Sequence, residues 1–239
     1  MEINNEKLIV ALDFSNLQEA QQCVHELGDL VQWYKVGMEL FYVAGTDIIE
    51  FLKKENKKVF LDLKLQDIPN TVANALKVLT ALGVDMINVH AVGGRTMLTE
   101  ASNAVHSKAD ELGIKKPKLI AVTILTSMDK VEYEEINYKN PVSQQVVDLA
   151  KLTQSSGLDG VVASPQEAKD IRSVCGKDFL IVTPGVRPLG SVLNDQTRVA
   201  TPLKAIQNGA TQIVVGRPII KAADRRAAAL NILKEIENL

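Results

Sequence analysis

The sequence predicts an α/β chain folded as one closed (β/α)8 TIM barrel over residues 1–239. Three observations lead there. Eight short apolar runs recur along the 239 residues. Longer amphipathic stretches separate them. No glycine-rich turn follows the first run, where an open doubly wound sheet would usually place one.

The runs read as strands at 7–13 (KLIVALD), 33–37 (WYKVG), 59–65 (VFLDLKL) and 86–91 (MINVHA). Four more follow at 118–125 (KLIAVTIL), 160–164 (GVVAS), 179–184 (FLIVTP) and 212–217 (QIVVGR). Near-continuous Val, Ile and Leu suits parallel strands buried on both faces. Between them Val72, Leu76, Leu79 and Leu82 recur at helical spacing, and so do Ala223, Ala227, Leu230 and Leu233. Glycine-containing turns at 82–85, 156–160 and 208–211 suit helix ends that feed the next strand. No linker rich in Pro, Gly or Ser divides the chain. The connection 185–200 is irregular and has the length of a lid over a site.

Composition narrows the function. A hydrophobic fraction of 46% is enough for one large core. A net charge of −2, no basic run and only 4% aromatics argue against nucleic acid as a partner. Cys23 and Cys175 have no metal-binding spacing. No apolar run approaches the roughly 20 residues of a membrane span, so no membrane partner is expected. The first residues lack the pattern of a secretion signal, and the cytoplasm is the expected compartment. Without a P-loop, a GxGxxG turn or a clustered set of metal ligands, neither cofactor nor metal is expected.

A barrel of this kind carries its active site at the C-terminal ends of its strands. The first run ends in Asp13, the second carries Lys35, and the third holds Asp62 and Lys64. Thr126 and Ser127 follow the fifth, Arg187 the seventh, and Gly216 and Arg217 close the eighth. Alternation along the third run turns Leu61, Leu63 and Leu65 toward the helices and Phe60, Asp62 and Lys64 toward the axis. Two charges in an apolar barrel need each other or a charged ligand. They are either a structural ion pair or part of a site, and their place at the mouth favours the site.

Other positions stay open on the residues alone. Asp67 suits an N-cap ahead of Pro69 as well as it suits a site, and Asn70 and Thr71 share that ambiguity. Arg187, Gln196, Gly216 and Arg217 sit on the last two loops, where such barrels often bind phosphate. Glycine admits an anion close to the backbone and arginine grips phosphate through two bonds. The other reading is a solvated surface. His90 ends the fourth run and reads as a hydrogen-bonded supporting residue, while His25 and His106 read as solvent-facing.

Taken in order, several stretches resemble the bacterial orotidine 5′-phosphate decarboxylase family over essentially the whole chain. They are ALD (11–13), KVGMELFY (35–42), FLDLKLQDIPNTV (60–72), NVHAVGG (88–94), AVTILTS (121–127), GVVASPQE (160–167), VTPGVRP (182–188), DQTRVATP (195–202) and IVVGRPI (213–219). The Asp-x-Lys-x-x-Asp element is shared with related magnesium-dependent barrels acting on sugar phosphates. Its combination with PGVRP, DQ and VGRPI is the specific mark. The resemblance implies decarboxylation of orotidine 5′-phosphate to uridine 5′-phosphate in pyrimidine synthesis, without a cofactor. It implies that Lys64 donates the proton within an alternating array of Lys35, Asp62, Lys64 and Asp67. Asp13 and Lys35 would hold the ribose, Thr126 and Ser127 the pyrimidine, and Arg187, Gln196, Gly216 and Arg217 the 5′-phosphate. Asp67 and Thr71 would reach the site of a partner subunit, which implies a homodimer with shared active sites. Gln66 departs from the His found in many bacterial members, at a position outside the array.

Overall fold

A computed structural model describes residues 5–188 and 200–237. Eight parallel strands close in sequence order, with β1 against β8. They are β1 (Leu8–Ala11), β2 (Trp33–Gly37), β3 (Lys58–Leu65), β4 (Met86–His90), β5 (Lys118–Val122), β6 (Gly160–Val162), β7 (Leu180–Thr183) and β8 (Gln212–Val215). The sequence reading locates all eight but carries several past their ends. Leu12, Ile124 and Ala163 lie beyond the strand ends and are still buried, so apolar character runs past the regular strands.

Period-two alternation builds two cores. Ile9, Trp33, Phe60, Met86, Ile120 and Val182 fill the barrel interior. Leu8, Val10, Tyr34, Val36, Leu61 and Ile87 face outward beneath the helices. Each large aliphatic side chain so buried contributes about 1.5–3 kcal/mol. The mouth therefore rests on a scaffold stable enough to hold charges at its upper edge.

Local signals start the helices. Asn16 Oδ1 accepts from the Glu19 N–H at 2.8 Å and caps the helix Leu17–Leu27. Pro69 opens the helix Pro69–Ala81, whose buried face includes Val72, Leu76 and Leu79. Its N-cap is Ile68, with no side-chain cap. The capping role open to Asp67 is thus corrected: its Oδ1 accepts from the N–H of Ile68 at 2.6 Å, too early to serve the helix. The last helix, Arg225–Glu237, buries Ala229, Ile232, Leu233 and Ile236. Of the expected stripe, Ala223 and Ala227 are exposed. In an alanine-rich segment several stripes share the spacing, and the bulkier isoleucines select the face.

β3 is irregular near its end. Leu61 pairs with Ile87 and Leu65 with Val89, so β3 spends three residues where β4 spends one. Within that bulge Lys64 has φ +52°. A side-chain-bearing residue rarely adopts this left-handed conformation.

Candidate active site

Strands β1, β2 and β3 each place a charge two residues beyond an inward apolar residue. Asp13 follows Ala11, Lys35 follows Trp33, and Asp62 follows Phe60. The Lys35 ammonium lies 3.2 Å from Asp13 Oδ1 and 3.3 Å from Asp62 Oδ2. The Lys64 ammonium lies 2.8 Å from Asp62 Oδ1. The result is a row of alternating sign, Asp13–Lys35–Asp62–Lys64. Its middle is out of water, with the Asp62 side chain 9% exposed, while that of Asp13 is half exposed.

The pairing overrides the burial. Burial alone would raise the Asp62 pKa, but Lys35, Lys64 and the Asn88 amide outweigh it and hold the carboxyl below its ordinary range. Burial alone would lower the Lys35 pKa, but Asp62 and Asp13 outweigh it and the net shift is upward. Both groups are therefore charged at neutral pH. His90, at the end of β4, is half-buried. Burial first, and then the charge of Lys64, lowers its pKa. Its imidazole makes no hydrogen bond to another described residue, so the supporting contact expected of it is not seen within this chain.

Asn88 on β4 was not singled out from the sequence as a site residue. It is fully buried and donates through Nδ2 to Asp62 Oδ1 at 2.6 Å. Its Oδ1 accepts from the Lys64 backbone N–H at 2.8 Å. The available signal was a polar residue at the inward position after Met86 in an otherwise apolar run. Gly37 was also missed. A Cβ there would lie 2.9 Å from the Lys35 ammonium, so side-chain bulk at this point displaces the lysine.

The row borders a cavity of about 200 Å³. Lys35, Asp62 and Lys64 form its charged side. Val122, Val162, Pro184 and Val214 supply an apolar side, and Thr126 and Ser127 also line it. Such a space suits a flat ring with polar edges and a charged substituent.

The remaining expected residues fall around this centre. Gly216 precedes the short helix Arg217–Ile220, and a Cβ on it would come within 3.2 Å of Asp13 Oδ2. Arg217 is half-buried. Arg187 is buried, donating from Nη1 to the Val186 carbonyl at 2.9 Å and from its backbone N–H to Ala200 at 3.0 Å. Gln196 lies outside the described residues. Asp67 and Thr71 are exposed, and neither joins the charged row within this chain. Gln66 is exposed and does not line the cavity. Among the described residues no three His, Cys, Asp or Glu side chains gather as a metal site. Among them, too, no helix is long and apolar enough to cross a membrane.

The model of the orotidine 5′-phosphate decarboxylase / HUMPS family matches residues 6–232. The chain belongs to this family. Similarity to orotidine 5′-phosphate decarboxylases is extensive. That of Carboxydothermus hydrogenoformans is 52% identical over 235 residues, covering 98% of each chain. That of Moorella thermoacetica is 48% identical, covering 97% of this chain and 92% of the other. The crystal structure of orotidine 5′-phosphate decarboxylase from Lactobacillus acidophilus matches with a TM-score of 0.84 at 45% identity. The match covers 96% of this chain and 98% of that one. The closed barrel is thus the architecture of an orotidine 5′-phosphate decarboxylase.

Proposed function

We propose that the protein decarboxylates orotidine 5′-phosphate to uridine 5′-phosphate, without a cofactor, as a step of pyrimidine synthesis. The carrying observation is the alternating Asp13–Lys35–Asp62–Lys64 row beside an apolar-walled cavity, in a chain of this family.

The chemistry asks for such a row. Loss of CO2 breaks a carbon–carbon bond and leaves the electron pair on a ring carbon that cannot readily spread it. Fixed charge must stabilise that carbon, since no electron-accepting group is called on. Lys64 places an ammonium at the carbon and donates a proton to it, and the resulting amine regains a proton from water. Asp62 holds Lys64 in place and sets a negative charge beside the departing carboxylate. Lys35 and Asp13 take the ribose hydroxyls, and Thr126 and Ser127 the pyrimidine edge.

Arg187, Gln196, Gly216 and Arg217 hold the 5′-phosphate. The phosphate does no chemistry, but its binding energy helps close the site around the transition state. Asp67 and Thr71 complete the site of a partner subunit in a homodimer. The exposure of both residues supports that reading, as do the apolar Ile68 and Val78, 67% and 64% exposed on the same segment. Two free, buried cysteines suit the reducing cytoplasm as the setting.

The test follows the absorbance of orotidine 5′-phosphate with a metal chelator present. Wild type should consume it, and Lys64→Ala should lose about 10³-fold or more in kcat. Absence of turnover by wild type would refute the function. Full activity in Lys64→Ala would refute the role given to that lysine.

A further inference from the structure

We propose that Asn88 is a positioning residue for the reaction, its one amide fixing both the backbone of Lys64 and the carboxylate of Asp62. The inference rests on the proton-donor role proposed for Lys64.

Four observations carry it. First, Lys64 has φ +52°. A non-glycine residue held there costs about 1–3 kcal/mol and stays only where its surroundings enforce it. Second, the β3–β4 ladder is interrupted at that point, with Leu61 against Ile87 and Leu65 against Val89. Asn88 is the single β4 residue facing the three residues 62–64. Third, the Lys64 N–H, which the bulge takes out of the backbone ladder, donates to Asn88 Oδ1 at 2.8 Å. Fourth, the same side chain donates to Asp62 Oδ1 at 2.6 Å, the very oxygen that meets the Lys64 ammonium at 2.8 Å.

The anchor is rigid. Asn88 is fully buried, and β4 keeps an unbroken register with β5, where Asn88 pairs with Ile120. The chemistry of the side chain is specific as well. An amide offers a donor and an acceptor side by side, whereas an ionised carboxylate cannot donate and an apolar group of similar size can do neither. Without the amide, Lys64 can relax toward ordinary strand geometry and carry its ammonium away from the cavity. Placement errors near 1 Å cost catalysis on the order of 10²-fold. The loss belongs in kcat, because the proton is delivered in the transition state and not on binding.

Two variants and two readouts test this. Asn88→Leu keeps the branched outline and the number of side-chain heavy atoms and removes both bonds. It should lower kcat by about 10²-fold with KM within about threefold of wild type. Asn88→Asp keeps the acceptor for the Lys64 N–H but sets a second carboxylate against Asp62. Its kcat should rise as pH falls and the two carboxylates come to share a proton, while wild type shows no such rise. Should Asn88→Leu fail to fold, Asn88→Asp carries the test alone. Hydrogen exchange at the Lys64 amide gives a readout independent of turnover. It should speed up by about tenfold or more in Asn88→Leu relative to the flanking β3 amides. Wild-type kcat in Asn88→Leu, a pH response of Asn88→Asp identical to wild type, or unchanged Lys64 exchange would overturn the proposal. Failure of wild type to turn over orotidine 5′-phosphate would strike the function instead, and the exchange measurement would still decide the role of Asn88.

Discussion

The Lys35 ammonium lies 3.3 Å from Asp62 Oδ2, with both side chains nearly excluded from water. Each shifts the other toward its charged form. Asp62, depressed below the roughly 3.9 of an unfolded aspartate, adds stability that is present above that value and lost as pH falls through the lower folded pKa. Lys35, raised above the roughly 10.4 of an unfolded lysine, adds stability that is present below that value and lost as pH rises through the higher folded pKa. The pair therefore spans the whole neutral range. Lys35→Met should cost about 2–3 kcal/mol at pH 7. That is less than the roughly 3–5 of a broken buried pair, because Lys64 and Asn88 still serve Asp62. Part of the loss should return below neutrality as Asp62 takes up a proton. Urea unfolding from pH 4 to 8 measures this, and a loss independent of pH would contradict it.

The proposed sharing of the site between subunits predicts complementation. Lys64→Ala and Asp67→Asn homodimers should each be nearly inactive. Mixed and allowed to exchange subunits, they should regain activity, because one of the two sites in each heterodimer then carries neither lesion. The regained rate should approach about one quarter of wild type per subunit if exchange is random and each site acts alone. Mixing without recovery, in a sample shown by mass spectrometry to contain heterodimer, would place Asp67 outside the partner's site.

Gly37 has φ −88° and ψ −178°, extended backbone open to any residue. The cost of Gly37→Ala is therefore steric and falls on the Lys35 ammonium, 2.9 Å from the added Cβ. The flexible lysine can yield, so the stability loss should be smaller than that of Lys35→Met. Catalytic efficiency should fall by about 10²-fold through displacement of the charge. Steady-state kinetics alongside thermal unfolding separate the two effects, and unchanged kinetics would remove Gly37 from the site.

Much of this was legible in the sequence because parallel strands buried on both faces write themselves as continuous apolar runs. The charges of β1, β2 and β3 stood out against those runs, and alternation pointed them inward. What was not legible depends on pairing between strands. The bulge opposite Asn88 and the left-handed turn at Lys64 arise from the mismatch of two ladders, which neither strand records alone. Alternation assigned Lys64 to the inner face, but the turn that holds it there is not ordinary strand geometry. Asn88 passed as one more residue of MINVHA because its partners lie on another strand. Asp67 resembled a cap by its spacing from Pro69, yet the helix begins one residue later than that role requires.

The charged row at the mouth sums to zero, two carboxylates against two ammonium groups. It still has a direction. Its β1 end is negative and open to water, and its β3 end is positive and more sheltered, so the row acts as a fixed dipole laid across the top of the barrel. A molecule that enters meets hydrogen-bond acceptance at one end and cationic charge at the other. Only one of its two lengthwise orientations matches. The row can thus sort the ends of a ligand before any bond is broken, and its sheltered middle leaves that sorting little weakened by salt.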